Sequence, residues 1–167
     1  MSAATMHCHL RDAAATDALA RALAQTQPAS AIVYLRGDLG AGKSTLARAW
    51  LRALGVTGAI RSPTYTLVEH YDYDDPRCAA GAKALHLDLY RIGDAGELEF
   101  LALDDAGVQL WLVEWPERGE RALPAPDLRI ELALGAEEGR EAAVVAGSPA
   151  GEAWLGRLAG MGVCGPF

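Results

Sequence analysis

Lysine is almost missing from this chain: of fifteen lysines and arginines in 167 residues, only Lys43 and Lys83 are lysines. Aspartate and glutamate number twenty-two, and the formal net charge is −7. Such a balance excludes a general basic surface for wrapping nucleic acid or adhering to an anionic membrane. Any nucleic-acid role is therefore expected to run through a partner. Cysteine is equally sparse. Cys8, Cys78 and Cys164 are odd in number, widely separated and without a CxxC, a pattern that predicts reduced thiols rather than a disulfide framework or a zinc site. Long apolar runs are absent too, none approaching the roughly twenty residues of a membrane helix. No basic segment followed by an apolar one opens the chain, so a cytoplasmic protein without a membrane partner is expected. No internal repeat or linker interrupts the sequence, and its length suits one domain over 1–167 that buries about two-thirds of its unfolded surface.

What is present starts with Gly37-Asp38-Leu39-Gly40-Ala41-Gly42-Lys43-Ser44, a full match to the phosphate-binding pattern G-x-x-x-x-G-K-[ST]. Each fixed position has a physical task. Glycines let the backbone take positive φ and bring successive N–H groups against phosphate oxygens, where a side chain would intrude. Lys43 reaches β- and γ-phosphates as a point charge, Ser44 offers its hydroxyl to Mg²⁺, and the following helix directs its positive end at the anion. One of only two lysines stands where the pattern demands it. The surroundings agree: Ala31 to Leu35 reads as a strand, and Ser44 to Leu54 carries Leu46, Trp50, Leu51 and Leu54 at helical spacing with Gly55 as a stop.

Around this unit, Thr5 to Arg11 reads as an edge strand and Thr16 to Ala24 as a packing helix with Thr16 as its capping residue. Arg61 to Thr66 reads as a loop entering a strand that runs to Tyr73, rich in β-branched and aromatic residues. Lys83 to Tyr90 alternates strictly. That places Leu85, Leu87 and Leu89 on one face and His86, Asp88 and Tyr90 on the other, and predicts an antiparallel hairpin with the preceding strand. Gly93 to Leu103 reads as a short acidic helix with Glu97 and Glu99 on a solvated face. Val108 to Val113 is a buried parallel strand that delivers Glu114 at its carboxyl end, and Pro116 stops further pairing. Leu128 to Leu134 and Ala142 to Val145 form a closing hairpin; the tail, 147–167, holds a short helix around Trp154 and has no legible role.

Two carboxylates thus follow the phosphate loop on strands. Catalysis at such a site needs an acid for Mg²⁺ and one that positions or activates water, and Asp88 and Glu114 are the candidates for both tasks. The hydroxyl-bearing Ser62-Pro63-Thr64 has the makings of a loop closing on a γ-phosphate. His86 is expected to be a structural hydrogen-bonder rather than a catalytic group.

Four blocks taken together resemble the TsaE family, also called YjeE: Gly37 to Lys43, Ser62-Pro63-Thr64-Tyr65-Thr66-Leu67-Val68, His86-Leu87-Asp88-Leu89-Tyr90-Arg91 and Glu114-Trp115-Pro116-Glu117. The resemblance spans roughly Thr16 to Ala146 and does not reach the two ends. The family usually carries threonine at Ser44 and phenylalanine at Tyr65; serine keeps the hydroxyl and tyrosine keeps the ring. The resemblance implies an α/β fold with a P-loop NTPase core, a central mostly parallel sheet with antiparallel hairpin additions. It implies ATP and Mg²⁺ as ligands and hydrolysis that is slow alone. It also implies TsaB and TsaD as partners in threonylcarbamoyladenosine modification of tRNA, with tRNA met only through them. Nucleotide contacts carry over to Asp38, Leu39, Gly40, Ala41, Gly42, Lys43, Ser44, Thr45 and Trp115. Metal and water tasks carry over to Ser44, Asp88 and Glu114, and the switch loop to Ser62, Pro63, Thr64, Tyr65 and Thr66. Two other classes share the phosphate loop: a small-molecule kinase, for which no acceptor pocket or arginine-bearing lid is legible, and a binding module without chemistry. The lack of an Asn-Lys-x-Asp guanine motif argues against a GTPase.

Overall fold

The computed structural model of the chain describes residues 3–93, 96–98 and 107–164. In chain order the elements are β1 (Thr5–Leu10), α1 (Ala13–Thr26), β2 (Ala31–Arg36), α2 (Lys43–Ala53), β3 (Val68–Tyr73), β4 (Ala82–Asp88), β5 (Val108–Glu114), β6 (Leu128–Leu134), β7 (Arg140–Ala146) and α3 (Pro149–Ala159). The seven strands make one sheet in the order β1-β7-β6-β2-β5-β4-β3. Its centre is parallel, β2 pairing with β5 and β6 and β4 with β5. The pairs β3–β4, β6–β7 and β1–β7 are antiparallel and lie at the two ends. This is the expected arrangement of a parallel centre with hairpin additions.

Period-two alternation sends neighbouring side chains of the central strands into two different cores. Val33 and Leu35 of β2 and Leu110 and Leu112 of β5 face a layer formed by the helices, with Leu19, Leu23, Leu46, Trp50 and Trp154. Tyr34, Trp111 and Val113 face the other way, meeting Leu85, Leu87, Leu89, Ile92, Leu98 and Leu123. Both faces of β4 and β5 are therefore dry near their carboxyl ends, which is what a parallel strand in mid-sheet requires.

The helical layer is tied by its tryptophans. Trp50 and Trp154 meet edge to face at 5.8 Å, and both are fully buried. Their indole N–H groups donate to Gln27 Oε1 at 2.8 Å and to Thr26 Oγ1 at 3.0 Å, so α2 and α3 are both pinned to the carboxyl end of α1.

Three expectations change. The cap of α1 is Asp12, whose carboxylate accepts from Ala15 N at 2.8 Å, while Thr16 lies inside the helix and is buried. Alanines 13–15 are strong helix formers and carry the helix back to the first side chain able to cap it. Cysteine behaves differently from expectation as well: Cys8 and Cys164 form a disulfide across 156 positions, with Cα atoms 4.5 Å apart, and Cys78 alone stays free. Sequence spacing carries no trace of that pairing, because it arises only when α3 returns the chain to β1. Of the acidic helix expected over 93–103, residues 96–98 form a single 3₁₀ turn and residues 99–103 lie outside the described residues. Among the described residues, no helix is long and apolar enough to cross a membrane.

Candidate functional site

The site sits where parallel strands end together. Registers place Glu114 beside Leu35 on one side and Asp88 on the other, so the loop leaving β2 and the last residues of β4 and β5 share one edge of the sheet. Open α/β sheets bind ligands at such carboxyl edges.

The loop between β2 and α2 needs its glycines. Gly37 has φ +148°, and a Cβ there would run into the Leu132 carbonyl of β6. Gly42 has φ +107°, caps α2 in a left-handed conformation and leaves the helix start without any side-chain cap. The first-turn N–H groups of an eleven-residue helix thus face the cleft with no side chain competing for them.

Lys43 folds over this loop. Its ammonium donates to Gly37 O at 2.5 Å and Asp38 O at 3.0 Å and lies 4.3 Å above the Trp115 ring. Burial lowers the lysine pKa, and the nearby Glu114 and Asp88 charges oppose that effect. Ser44 Oγ donates to Glu114, 2.9 Å from Oε1 and 3.0 Å from Oε2. On its far side Glu114 Oε2 lies 2.6 Å from His86 Nε2. His86 therefore serves Glu114 rather than Asp88, although the alternation of β4 had set it on the Asp88 face. Asp88 accepts from Tyr90 N at 3.0 Å. Burial raises the Asp88 pKa; the Tyr90 N–H lowers it and Glu114 raises it further.

Gly42, Lys43, Ser44, Asp88 and Glu114 line a cleft of about 350 Å³ that also includes Leu39, Gly40, Thr45, Thr64, Tyr90, Arg91, Trp115 and Arg140, with His86 buried behind it. Asp38 lies exposed at the rim, and Ala41 lines a neighbouring cavity of about 200 Å³ instead. Of the expected switch loop only Thr64 reaches the cleft. Ser62 bonds to Thr64 through their hydroxyls at 2.8 Å, Pro63 O accepts from Leu67 N at 2.8 Å, and Thr66 donates to Glu69 at 2.9 Å. Tyr65 stands outside, 80% exposed, with the Arg91 guanidinium 4.4 Å over its ring. Two residues at the cleft edge are left-handed without being glycine: Leu67 at φ 68°, whose carbonyl accepts the Asp88 N–H at 3.0 Å, and Trp115 at φ 56°.

Oxygen donors are the right chemistry for Mg²⁺, which is held through one or two carboxylates together with phosphate oxygens and water. Ser44, Asp88 and Glu114 fit that description. Among the described residues, no group of three or more His, Cys, Asp or Glu side chains could hold a metal ion. Asp88 and Glu114 stand side by side across β4 and β5, so two carboxylates are available to one cation. Sequence reasoning did not reach the second cavity, lined by Leu10, Asp12, Ala13, Thr16 and Arg140 among others. Its walls come from β1, α1 and the β6–β7 turn, and no local pattern links them.

A family model described as threonylcarbamoyl adenosine biosynthesis protein TsaE matches residues 10–142. A Haemophilus influenzae protein named tRNA threonylcarbamoyladenosine biosynthesis protein TsaE is 45% identical over 103 residues, 60% of this chain and 61% of its own length. Proteins of the same name from Synechocystis and Bacillus subtilis are 41% identical over 125 residues and 35% over 129, covering 71% and 75% of this chain and 74% and 76% of their own. The crystal structure of Bacillus subtilis YdiB superposes with a TM-score of 0.77 at 25% identity, over 96% of this chain and 98% of that one. With motif blocks, fold and relatives in agreement, the chain belongs to the TsaE family.

Proposed function

We propose that this chain is a P-loop ATPase that binds Mg²⁺·ATP in the cleft and supports threonylcarbamoyladenosine modification of tRNA together with TsaB and TsaD. The observation that carries the reading is the Ser44–Glu114 hydrogen bond beneath Lys43, which gathers a phosphate-binding lysine, a metal-binding hydroxyl and a carboxylate at one helix start. The family name of the relatives supports the pathway.

In this reading Lys43 exchanges the Gly37 and Asp38 carbonyls for β- and γ-phosphate oxygens, and the α2 N-terminus takes the remaining phosphate charge. Mg²⁺, which Ser44, Asp88 and Glu114 would hold, would supply neutralisation of the phosphate charge. Ser44, Asp88 and Glu114 share the holding of the ion and the orientation of the attacking water, with Glu114 kept in place by His86. Trp115 and Thr64 both line the cleft that would receive the phosphates. This reading assigns adenine to the adjoining cavity of about 200 Å³ beyond Gly42 and Thr45. Hydrolysis is coupled elsewhere in this reading, since a net charge of −7 argues against a general basic surface for tRNA.

The test is phosphate release by purified protein, with and without TsaB–TsaD, with tRNA, and with small-molecule acceptors. Slow hydrolysis alone and a several-fold rise with the pair, by analogy with partner-completed sites, is the expected result. Phosphate transferred to an acceptor would make the chain a kinase; no stimulation and no ATP-dependent association would remove it from this pathway.

A further inference from the structure

The first strand and the last helix of the chain are joined by one covalent bond. β1 is an edge strand with β7 as its single neighbour, and its inward side chains are Met6, Cys8 and Leu10. Cys164 follows α3, where the described hydrogen bonds stay local: Met161 N donates to Leu158 O at 3.0 Å and Gly162 N to Ala159 O at 3.3 Å. Past them the segment is held by the apolar packing of Val163 and Cys164 and by the Cys8–Cys164 disulfide. That bond gives β1 a second anchor, on the helical side, in addition to its ladder with β7.

What β1 carries is one wall of the smaller cavity. Leu10, the next inward residue after Cys8, lines it, and so do Asp12, Ala13 and Thr16, which lead the chain into α1. Leu10 is also paired with Arg140, a residue common to that cavity and to the cleft. A cross-link at Cys8 narrows the range of positions open to this wall, and cutting it widens that range while the sheet persists. We propose that the Cys8–Cys164 pair is a redox switch on nucleotide affinity: the disulfide form holds the β1 wall in its binding position, and the dithiol form populates that position less. The inference rests on the nucleotide reading given above.

The reductant is a dithiol. Its first thiolate attacks Sγ of Cys164, which is half-buried, whereas Cys8 is 2% exposed. The S–S bond breaks, and Cys8 leaves as a thiolate and takes a proton. The second thiolate of the dithiol then attacks the mixed disulfide and releases Cys164, which takes the other proton. Two electrons thus enter the chain and the dithiol ends as its own disulfide; a small disulfide reverses each step. Cys78, whose thiol donates to Gly81 O, takes no part.

Titration calorimetry with AMP-PNP tests this on protein oxidised with glutathione disulfide and on the same protein reduced with dithiothreitol, at a temperature where circular dichroism finds both folded. Reduction should raise the dissociation constant about threefold or more, as when the binding-competent population falls to a third, and reoxidation should restore it. Cys164→Ser should bind as the reduced form does in either condition, and Cys78→Ser should switch as wild type does. Amide exchange over residues 10–16 should quicken on reduction while β2 and β5 stay protected. Equal affinity in the two forms, a switch that survives in Cys164→Ser, or no loss of thiols on oxidation would each overturn the proposal. Nucleotide binding that is lost in Lys43→Ala but equal in the two redox forms removes the switch alone. A wild type that binds no nucleotide in either form overturns the nucleotide reading, and this inference with it.

Discussion

His86 on β4 and Glu114 on β5 share a 2.6 Å hydrogen bond, and both side chains are shielded from water, 2% and 3% exposed. Ser44 grips the same carboxylate from the opposite side. Glu114 is therefore aimed before any ligand arrives, and the reorganisation that a free side chain would need is already spent in folding.

For Glu114→Gln, the amide keeps the shape of the carboxylate while removing its charge. Affinity for a non-hydrolysable ATP analogue should stay within about twofold, and hydrolysis should fall on the order of a hundredfold. Phosphate release with the partner pair present measures it. Wild-type turnover would take Glu114 out of the catalytic set.

Lys43→Ala removes the ammonium that now rests on the Gly37 and Asp38 carbonyls. A charge-assisted contact to phosphate is worth roughly 1.5–3 kcal/mol, so the dissociation constant for ATP should rise about ten- to a hundredfold. Trp115, 4.3 Å beneath that ammonium, offers an optical check: its emission should change on nucleotide binding in the wild type and not in the variant. An unchanged dissociation constant would contradict the phosphate-loop assignment.

Asp88 is where pH should speak. Burial raises its pKa above the ordinary 3.8, with Glu114 adding to the rise and the Tyr90 N–H opposing it. The native state thus binds this proton more tightly than the unfolded chain does. The stabilisation gained from the neutral acid is full below about pH 3.8 and is lost as pH climbs through the folded value. Asp88→Asn should therefore melt higher than wild type at neutral pH without ligand, and the gap should close as pH falls towards 3.8. Adding Mg²⁺ and ATP should favour the wild type, whose carboxylate then has a cation to meet. Melting curves across pH, with and without ligand, would expose an error in either half of this argument.

Reduction of the Cys8–Cys164 disulfide releases a chain closed across 156 positions. Removing a disulfide from the unfolded-state constraint costs typically about 2–4 kcal/mol. Wild type in reductant and Cys164→Ser without it should melt at the same lowered temperature, and thiol titration should count one free cysteine, Cys78, before reduction. Identical melting with and without reductant would refute the link.

The parts of this molecule that were legible in advance are those where local chemistry has only one use. A GAGKS turn between an apolar run and a helical pattern, and acids at the ends of buried strands, state their positions without reference to the rest of the chain. Asp88 and Glu114 were found that way, and the sheet register does bring them side by side. His86 was half legible: alternation set its face, but its partner depended on how far β4 slides along β5. Arg140, Leu10 and Asp12 were silent, because the cavity they line exists only when β1 and β7 pair. Asp12 also shows why helix starts are read late: several residues could cap, and which does so depends on how far the alanines extend.

Among the described residues, Leu67 and Trp115 are the two that hold a left-handed backbone without being glycine. One anchors the Asp88 main chain through its carbonyl and the other directly follows Glu114. Each such residue carries strain of about 1–3 kcal/mol. Local contacts alone do not keep a strained backbone in place; the surrounding packing must over-determine it. The aim of the two carboxylates is thus underwritten by the whole fold. Weakening the protein far from the cleft, by cutting the Cys8–Cys164 link or hollowing the Trp50–Trp154 contact, should let these two turns relax first, so that activity fades at temperatures where the sheet is still intact.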